Sequence, residues 1–384
     1  MKIVFLSNYF THHQSALSKS FADFDNIDYT FIETEPMEEE RKNMGWQIHG
    51  EDFVINHDFF SKNPEWCQEL IDGADVVIIG SAPYELVRKR IKQKKLTFFY
   101  SERIYKRGYQ AYKFIVRYIR FLYRYEFDNV YLLCSSAYTA ADYNKTFTFR
   151  NKAYKWGYFP EAIQYENINS LIDRKKRNSI LWVARMIDWK HPELAVDVAK
   201  RLKEEGYDFT LNMIGNGVLE DEIKRRIIEE NLSDCVYMLG SMTPQEVRAH
   251  MEESEIFLFT SDRNEGWGAV LNESMNSACA VVASHAIGSV PFLINDTENG
   301  LIYKDGDLED LYLKTKWLFD HSDERKNISL NAYHTVANEW NAENAAKRFI
   351  ALAERIIGGE SSPNLYNEGI CSKSEILKDD WYGN

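Results

Sequence analysis

Short, uninterrupted apolar runs alternate along this chain with longer stretches whose apolar residues recur every three or four positions. Ile3–Leu6, Tyr29–Ile32, Val76–Ile79, Leu96–Tyr100 and Val130–Cys134 are such runs in the first half. Ser179–Ala184, Phe209–Ile214, Cys235–Leu239, Ile256–Phe259, Ala280–Ala283 and Gly300–Tyr303 repeat the pattern in the second. Runs this short, without polar alternation, read as strands covered on both faces. The intervening segments read as helices: Ser15–Phe21, Pro83–Gln93, residues 108–125, and one opened by Pro192 whose Leu194, Ala195, Val198, Ala199 and Leu202 share a face. The alternation predicts an α/β protein of two doubly wound, Rossmann-like units, for which 384 residues suffice. The aromatic loop Lys155–Pro160 and the polar run after it place the expected boundary. The first domain is predicted over 1–160, a linker over 161–178, the second domain over 179–357 and a polar tail over 358–384.

The stretch Asp262–Glu273 carries the most chemistry. It follows the run Ile256–Phe259 and leads into Ala269, Val270, Glu273 and Met275, spaced as the start of a packed helix. Gly266 and Gly268 lie in the turn, where a missing side chain admits a ligand close to the backbone. A helix opening near Gly268 would offer its first amides to an anion. Glu265 then sits in the loop and Glu273 within the helix, where a carboxylate suits two adjacent ribose hydroxyls. The string from Glu265 to Met275 closely resembles the Glu-x7-Glu signature of retaining, family-four-type (group 1) glycosyltransferases.

That resemblance implies the GT-B fold, two Rossmann-like domains facing each other across a cleft. It also implies retaining, metal-independent transfer from a nucleotide-diphosphate sugar, with no cofactor. Arg185 and Lys190 match the family's Gly-Arg-Leu…Lys-Gly pattern, with Ala184 in place of its glycine, and stand for the pair that meets the diphosphate. Gly215 and Asn216 resemble the Gly-x-Gly turn. Main chain at Met238 and the side chain of Met242 would flank the base, and Gly266, Trp267, Gly268, Ala269, Val270 and Glu273 would complete the donor site. Glu265 would act on the transferred sugar. In the first half the resemblance extends only to strand–helix order. The loop after the first strand lacks the glycine-rich sequence common in relatives and holds His12 and His13 instead. Either could face a donor phosphate or an acceptor hydroxyl; His13 is the catalytic candidate and His12 the acceptor contact. Where relatives often carry a histidine, this chain has Ser101 and Glu102, candidates for acceptor binding and catalysis respectively. The acceptor implied is a glycan or lipid-linked sugar in cell-surface polysaccharide assembly. Asp23/Asp25 and Asp305/Asp307 have the Asp-x-Asp spacing of metal-dependent transferases, but neither pair is expected to follow a buried strand.

Charge adds one distinction. Of the net charge of −13, residues 1–160 carry 22 Lys and Arg against 20 Asp and Glu, so the acidity lies in the remainder. Between residues 88 and 124 there are 13 basic residues and one acidic, Glu102. Lys113, Arg117, Arg120 and Arg124 fall on one face of the predicted 108–125 helix, beside an apolar face of Phe114, Ile115, Tyr118, Ile119 and Leu122. A basic face with aromatic flanks suits an anionic membrane surface, which predicts a cytoplasmic protein, peripheral on the inner face of the plasma membrane. No nucleic-acid reader motif accompanies the patch. Five cysteines without metal spacing read as reduced thiols. The rival readings are a nucleotide-sugar epimerase and a non-catalytic sugar-nucleotide binder. The first needs an acid/base set that is not assignable, and the second would be expected to lack Glu265 or Lys190.

Overall fold

A computed structural model describes every residue except Met44, Gly45, Gln47, His49, residues 107–113 and Asn384. The chain divides into two units, 1–161 with 340–378 and 162–339 with 379–384. In the first unit β1 (Lys2–Ser7), β2 (Asp28–Glu33), β3 (Val54–Ile55), β4 (Val76–Ile79), β5 (Leu96–Ser101), β6 (Val130–Cys134) and β7 (Ala153–Lys155) form one sheet. Its order is β3-β2-β1-β4-β5-β6-β7, with every pairing parallel. The second unit has β8 (Lys176–Val183), β9 (Thr210–Ile214), β10 (Val236–Gly240), β11 (Ser254–Phe259), β12 (Ala280–Ser284) and β13 (Leu301–Tyr303). These run in the order β10-β9-β8-β11-β12-β13, again all parallel. The central strands are continuous apolar runs because helices cover both faces: Val76–Ile79 and Ile256–Phe259 are buried throughout. Each sheet reverses its winding once, between β1 and β4 and between β8 and β11. Such a switch point opens a crevice at the carboxyl ends of the strands.

The boundaries differ from those the sequence predicts. The segment 161–178 is no linker: it contains a helix, Ile168–Asp173, and the start of β8, and Leu171 and Ile172 are buried. The Ala342–Ile357 helix belongs to the first unit, where Phe349 packs edge-on against Phe21 and Phe98 at ring-centroid distances of 5.5 and 4.9 Å. Its apolar period shows that one face is buried, not which core receives it. Nor is 358–378 a free tail. Cys371 and Lys155 are joined by main-chain hydrogen bonding, Lys155 also donates to Ser372, and Tyr154 bridges Lys373 antiparallel, so the segment covers the edge of β7.

The Phe114–Tyr125 helix is turned from its predicted orientation. Phe121 and Tyr125 pack inward against Tyr143, while Ile115 and Ile119, expected in the core, face outward. Arg117 and Arg124 stack over Tyr105 and Tyr84 rather than extending freely. Lys113 and the start of this predicted helix lie outside the described residues. Among the described residues, no helix is long and apolar enough to cross a membrane.

Candidate active site

In the second unit the loops after β8 and β11 are laced together at the switch point. Trp182 Nε1 donates to Thr260 Oγ1 at 2.8 Å, and that hydroxyl donates to the Lys190 carbonyl at 2.7 Å. The Asp262 amide donates to the Trp189 carbonyl at 3.0 Å. This lacing places Lys190 Nζ in a close ion pair with Glu265 Oε2, which also accepts from Ser261 Oγ at 3.1 Å. Both side chains are mostly buried, so the two charges neutralise each other in a confined site. Arg185 is exposed, with its guanidinium 5.9 Å from the Trp189 ring centroid, and no carboxylate among the described residues pairs with it. One free cation and one paired cation therefore stand at the end of β8.

Two glycines shape the floor. Gly215 has φ +129°, and a Cβ there would lie 1.9 Å from the Ala184 carbonyl oxygen. Gly268 has φ +82°, and its Cβ would meet the Phe259 ring at 2.3 Å. Neither position admits a side chain, which is why the backbone turns this tightly beneath the crevice. The helix begins at Val270, with Ala269 in the cap position, just past Gly268. Gly266 and Ala269 are buried. Trp267, expected at the donor, is fully buried instead: Nε1 donates to Asn272 Oδ1 at 2.9 Å and its carbonyl accepts from Ser289 Oγ at 2.6 Å. The indole fixes the loop from beneath. Asn216 is exposed, and its carbonyl accepts from the Met186 amide at 2.7 Å. Met238 packs partly against the core, while Met242 lies in the loop beyond β10.

Glu273 is the most unusual group. Burial raises its carboxyl above the ordinary glutamate range, with Arg248 opposing weakly. Glu273 is half-buried, and among the described residues no hydrogen bond or ion pair reaches its carboxylate.

The sequence reading missed His191 and the role of Asp262. His191 holds a left-handed conformation (φ 50°, ψ 55°) ahead of Pro192. Its Nδ1 lies 2.7 Å from Glu193 and its Nε2 3.7 Å from Asp262. The hydrogen bond to Glu193 is the main cause of its raised pKa, placing another prospective cation beside Lys190. The only local signal was the X-Pro dipeptide, which restricts the residue before it. The Asp305/Asp307 pair does follow a buried strand, β13, contrary to expectation. Asp305 accepts from Ser284 Oγ at 3.1 Å, and Asp307 caps the next helix. Among the described residues no cluster of three or more His, Cys, Asp or Glu side chains is arranged to hold a metal ion.

The first unit has a separate cavity of about 450 Å³ at the carboxyl ends of its strands, lined in part by His13, Trp46, Ser101, Glu102 and Tyr158. His12 and His13 lie in the first turn of a helix, His12–Ala22, not in the loop before it. Thr11 caps that helix through a capping box with Gln14. The imidazole rings are 4.0 Å apart, and both Nδ1 atoms are buried without a hydrogen bond. Burial lowers His12 to about 4 and His13 to about 3, so both are neutral at pH 7. Glu102 accepts from Tyr158 at 2.7 Å and pairs with Lys106. The Ser101 hydroxyl donates to the Glu102 carbonyl at 2.8 Å and accepts from Tyr143 at 3.2 Å, so it is already engaged. Tyr158 and Trp46, which the sequence reading passed over, supply aromatic walls.

Comparison with known proteins places the likeness in the second unit. The description "Glycosyl transferases group 1" matches residues 164–335. That segment is similar to the group 1 glycosyltransferases. Over 182 residues the chain is 30% identical to the amylovoran biosynthesis glycosyltransferase AmsK of Erwinia amylovora, covering 46% of this chain and 44% of that protein. Over 169 residues it is 33% identical to a Campylobacter jejuni N-acetylgalactosamine-N,N'-diacetylbacillosaminyl-diphospho-undecaprenol 4-alpha-N-acetylgalactosaminyltransferase, covering 43% and 44%. The chain thus spans less than half the length of these curated relatives. Among solved structures, Anabaena HepE in complex with UDP superposes with a TM-score of 0.65 at 12% identity, covering 94% of this chain and 100% of that one. Agreement over nearly the whole chain, with two parallel sheets, makes the fold GT-B. The group 1 segment contains Arg185, Lys190, Gly215, Glu265 and Glu273. His12, His13, Ser101 and Glu102 lie outside it.

Proposed function

We propose that this protein transfers a sugar from a nucleotide-diphosphate sugar to a glycan or lipid-linked acceptor, with retention of anomeric configuration, in cell-surface polysaccharide assembly. The observation that carries the reading is the crevice between β8 and β11, where Arg185, the Lys190–Glu265 pair and the unpartnered Glu273 carboxylate stand near glycine turns. The complex of HepE with UDP supports a uridine nucleotide as the first donor to test. Similarity to AmsK and to the diphospho-undecaprenol transferase supports the acceptor class.

Glu273 accepts the two ribose hydroxyls, and Met238 main chain with the Met242 side chain borders the base. The diphosphate lies against Gly215, Asn216 and the 266–270 main chain, facing Arg185 and Lys190. As the bond from the anomeric carbon to the phosphate oxygen breaks, its electron pair stays on that oxygen. Arg185 and Lys190 stabilise the charge that develops there, so the step needs no metal. The acceptor hydroxyl attacks from the same face and its proton passes to the leaving phosphate. Lys190 is held in place by Glu265 before the donor arrives, which limits reorganisation during the reaction; Glu265 then faces the transferred sugar. In the first unit, His12 and His13 with Glu102 border the acceptor pocket, Tyr158 and Trp46 offering stacking faces to sugar rings.

A thermal-shift screen of nucleoside diphosphates and their sugars tests the donor site, since a ligand of the native state raises stability by mass action. A rise in Tm with UDP or another nucleoside diphosphate is expected. No shift with any of them at millimolar concentration would remove the donor assignment. Product analysis then separates transfer from epimerisation: a new α-glycoside from an α-linked donor supports transfer, and an epimerised nucleotide sugar refutes it.

A further inference from the structure

The Phe114–Tyr125 helix presents an outward surface that the transfer reading does not use. At 100° per residue, Ile115, Ile119, Tyr123 and Val116 occupy a continuous arc opposite Phe121 and Tyr125, with Arg120 at its edge. Ile115 is 68% exposed, Val116 72%, Ile119 61% and Tyr123 56%. Three aliphatic side chains and a tyrosine on one solvent-facing arc are a contiguous apolar patch, not scattered exposure. Phe147, also exposed, packs edge-on against Tyr118 of the same helix at 5.9 Å.

Cations surround the arc. Arg88 donates to the Tyr123 hydroxyl at 3.1 Å, and Arg88 and Lys92 depress the Tyr123 pKa. Arg120 is exposed at the edge of the arc, and the Arg150 guanidinium stands 4.9 Å from the Phe147 ring centroid. Among the described residues, Glu85 is the acidic side chain found paired on this helix, through Arg124 at 3.7 Å. An apolar stripe rimmed by arginine and lysine complements one occupant, the surface of an anionic bilayer: aliphatic groups enter the acyl boundary while the cations meet the headgroup phosphates. The tyrosine, hydroxyl turned toward Arg88, is the residue type that settles at that boundary.

We infer that the Phe114–Tyr125 helix is a monotopic membrane-docking element that lies in the plane of an anionic membrane and inserts Ile115, Val116, Ile119 and Tyr123. The contact is led by apolar insertion, not by the basic face that the sequence spacing picks out. Arg117 and Arg124 serve as aromatic-stacked supports of the helix.

Co-sedimentation of the full chain with phosphatidylglycerol vesicles, beside phosphatidylcholine vesicles, tests this. Binding to the anionic vesicles is expected, and replacing both Ile115 and Ile119 with Ser should lower the partition coefficient by about a hundredfold. Arg120→Glu should lower it by about tenfold, with most of that effect absent in 0.5 M salt. Because Cys67, Cys134, Cys235, Cys279 and Cys371 are all buried, an Ile119→Cys variant takes an environment-sensitive dye at one exposed site. Its emission should shift to the blue when anionic vesicles are added. No shift, equal pelleting of wild type and the double variant, or a concentration-dependent dimer that the double variant abolishes would each overturn the inference. Vesicle binding is read without a sugar donor, so its failure leaves the UDP thermal shift, and the transfer reading, untouched.

Discussion

Single residues in the proposed donor crevice divide into those that hold the protein together and those left open to a ligand. Glu273 is of the second kind. Its folded pKa lies above the unfolded value, so this group favours folding below the ordinary glutamate pKa and the contribution is lost as pH rises through the folded value. Glu273→Gln removes a half-buried charge, disfavoured by desolvation, without changing shape, and should raise Tm at pH 7. The gain should close as pH falls below about 4.3, while UDP binding weakens about tenfold or more. A Gln variant less stable than wild type at pH 7 would mean that the carboxylate has a partner in the free protein. Arg185 and Lys190 should separate in the same way. Arg185 has no carboxylate partner among the described residues, so Arg185→Ala should leave Tm within about 1 °C while cutting turnover about a hundredfold. Lys190→Ala strands Glu265, and should lower both turnover and Tm. Equal Tm for the two alanine variants would show that the ion pair contributes nothing to stability.

The histidine pair obeys the opposite sign. His12 and His13 are lowered to about 4 and about 3, so between those values and about 6.5 the unfolded chain binds protons that the native chain does not. Their contribution to stability is complete above that window and is lost as pH falls through it. Replacing both by Gln should flatten the acid limb of a urea-midpoint curve between about pH 6.5 and 4. An unchanged slope would place the two rings in water.

At the scale of elements, the turn between β11 and the Val270–Asn276 helix tolerates little change. Gly268→Ala imposes both a left-handed alanine and a contact with Phe259, for an expected loss of about 2–4 kcal/mol in chemical denaturation. In a Phe259→Ala background the added penalty of Gly268→Ala should shrink to the backbone part, about 1–2 kcal/mol. A penalty that does not change would remove the ring contact as its cause. The Lys190–Glu265 pair depends on another element, the 3-10 turn Asp188–Lys190, which Thr260 and Asp262 hold through the Lys190 and Trp189 carbonyls. Position within the chain does not foretell that lacing, because the two loops are about seventy residues apart and meet only when β8 pairs with β11.

At the scale of the whole molecule, the crossing of the chain between units has a practical consequence. The Ala342–Ile357 helix buries Ala345, Ala346, Phe349 and Leu352 in the first unit. Residues 179–357 produced alone would expose that face and lack the Ile168–Asp173 helix. Residues 162–339 should be soluble and give a cooperative melt, while 179–357 aggregates; the reverse outcome would show that the unit boundaries are misplaced. The Trp381 and Tyr382 rings pack near His285 in the second unit, at 6.3 and 5.7 Å, so the 162–339 piece should melt somewhat below the full chain.

Local chemistry was legible without a fold. The strands announced themselves because a buried parallel strand needs an unbroken apolar run, while Glu265, Gly268 and Glu273 stood out through the resemblance of the Glu265–Met275 string to the group 1 signature. The cations Arg185 and Lys190 stood out through their resemblance to the family's Gly-Arg-Leu…Lys-Gly pattern. What needed tertiary structure was every choice of partner. Apolar periodicity gave the Phe114–Tyr125 helix a buried face, but the packing of Phe121 and Tyr125 against Tyr143 decided which one, and turned Ile115 and Ile119 outward. A similar period in Ala342–Ile357 did not say which sheet it would cover. Trp267 resembled a ligand contact in its motif and became a core residue, because Asn272 and Ser289 reach it. Glu273's isolation is likewise a fact of three dimensions: a sequence records which groups can pair, and only the folded chain determines which are left without a partner.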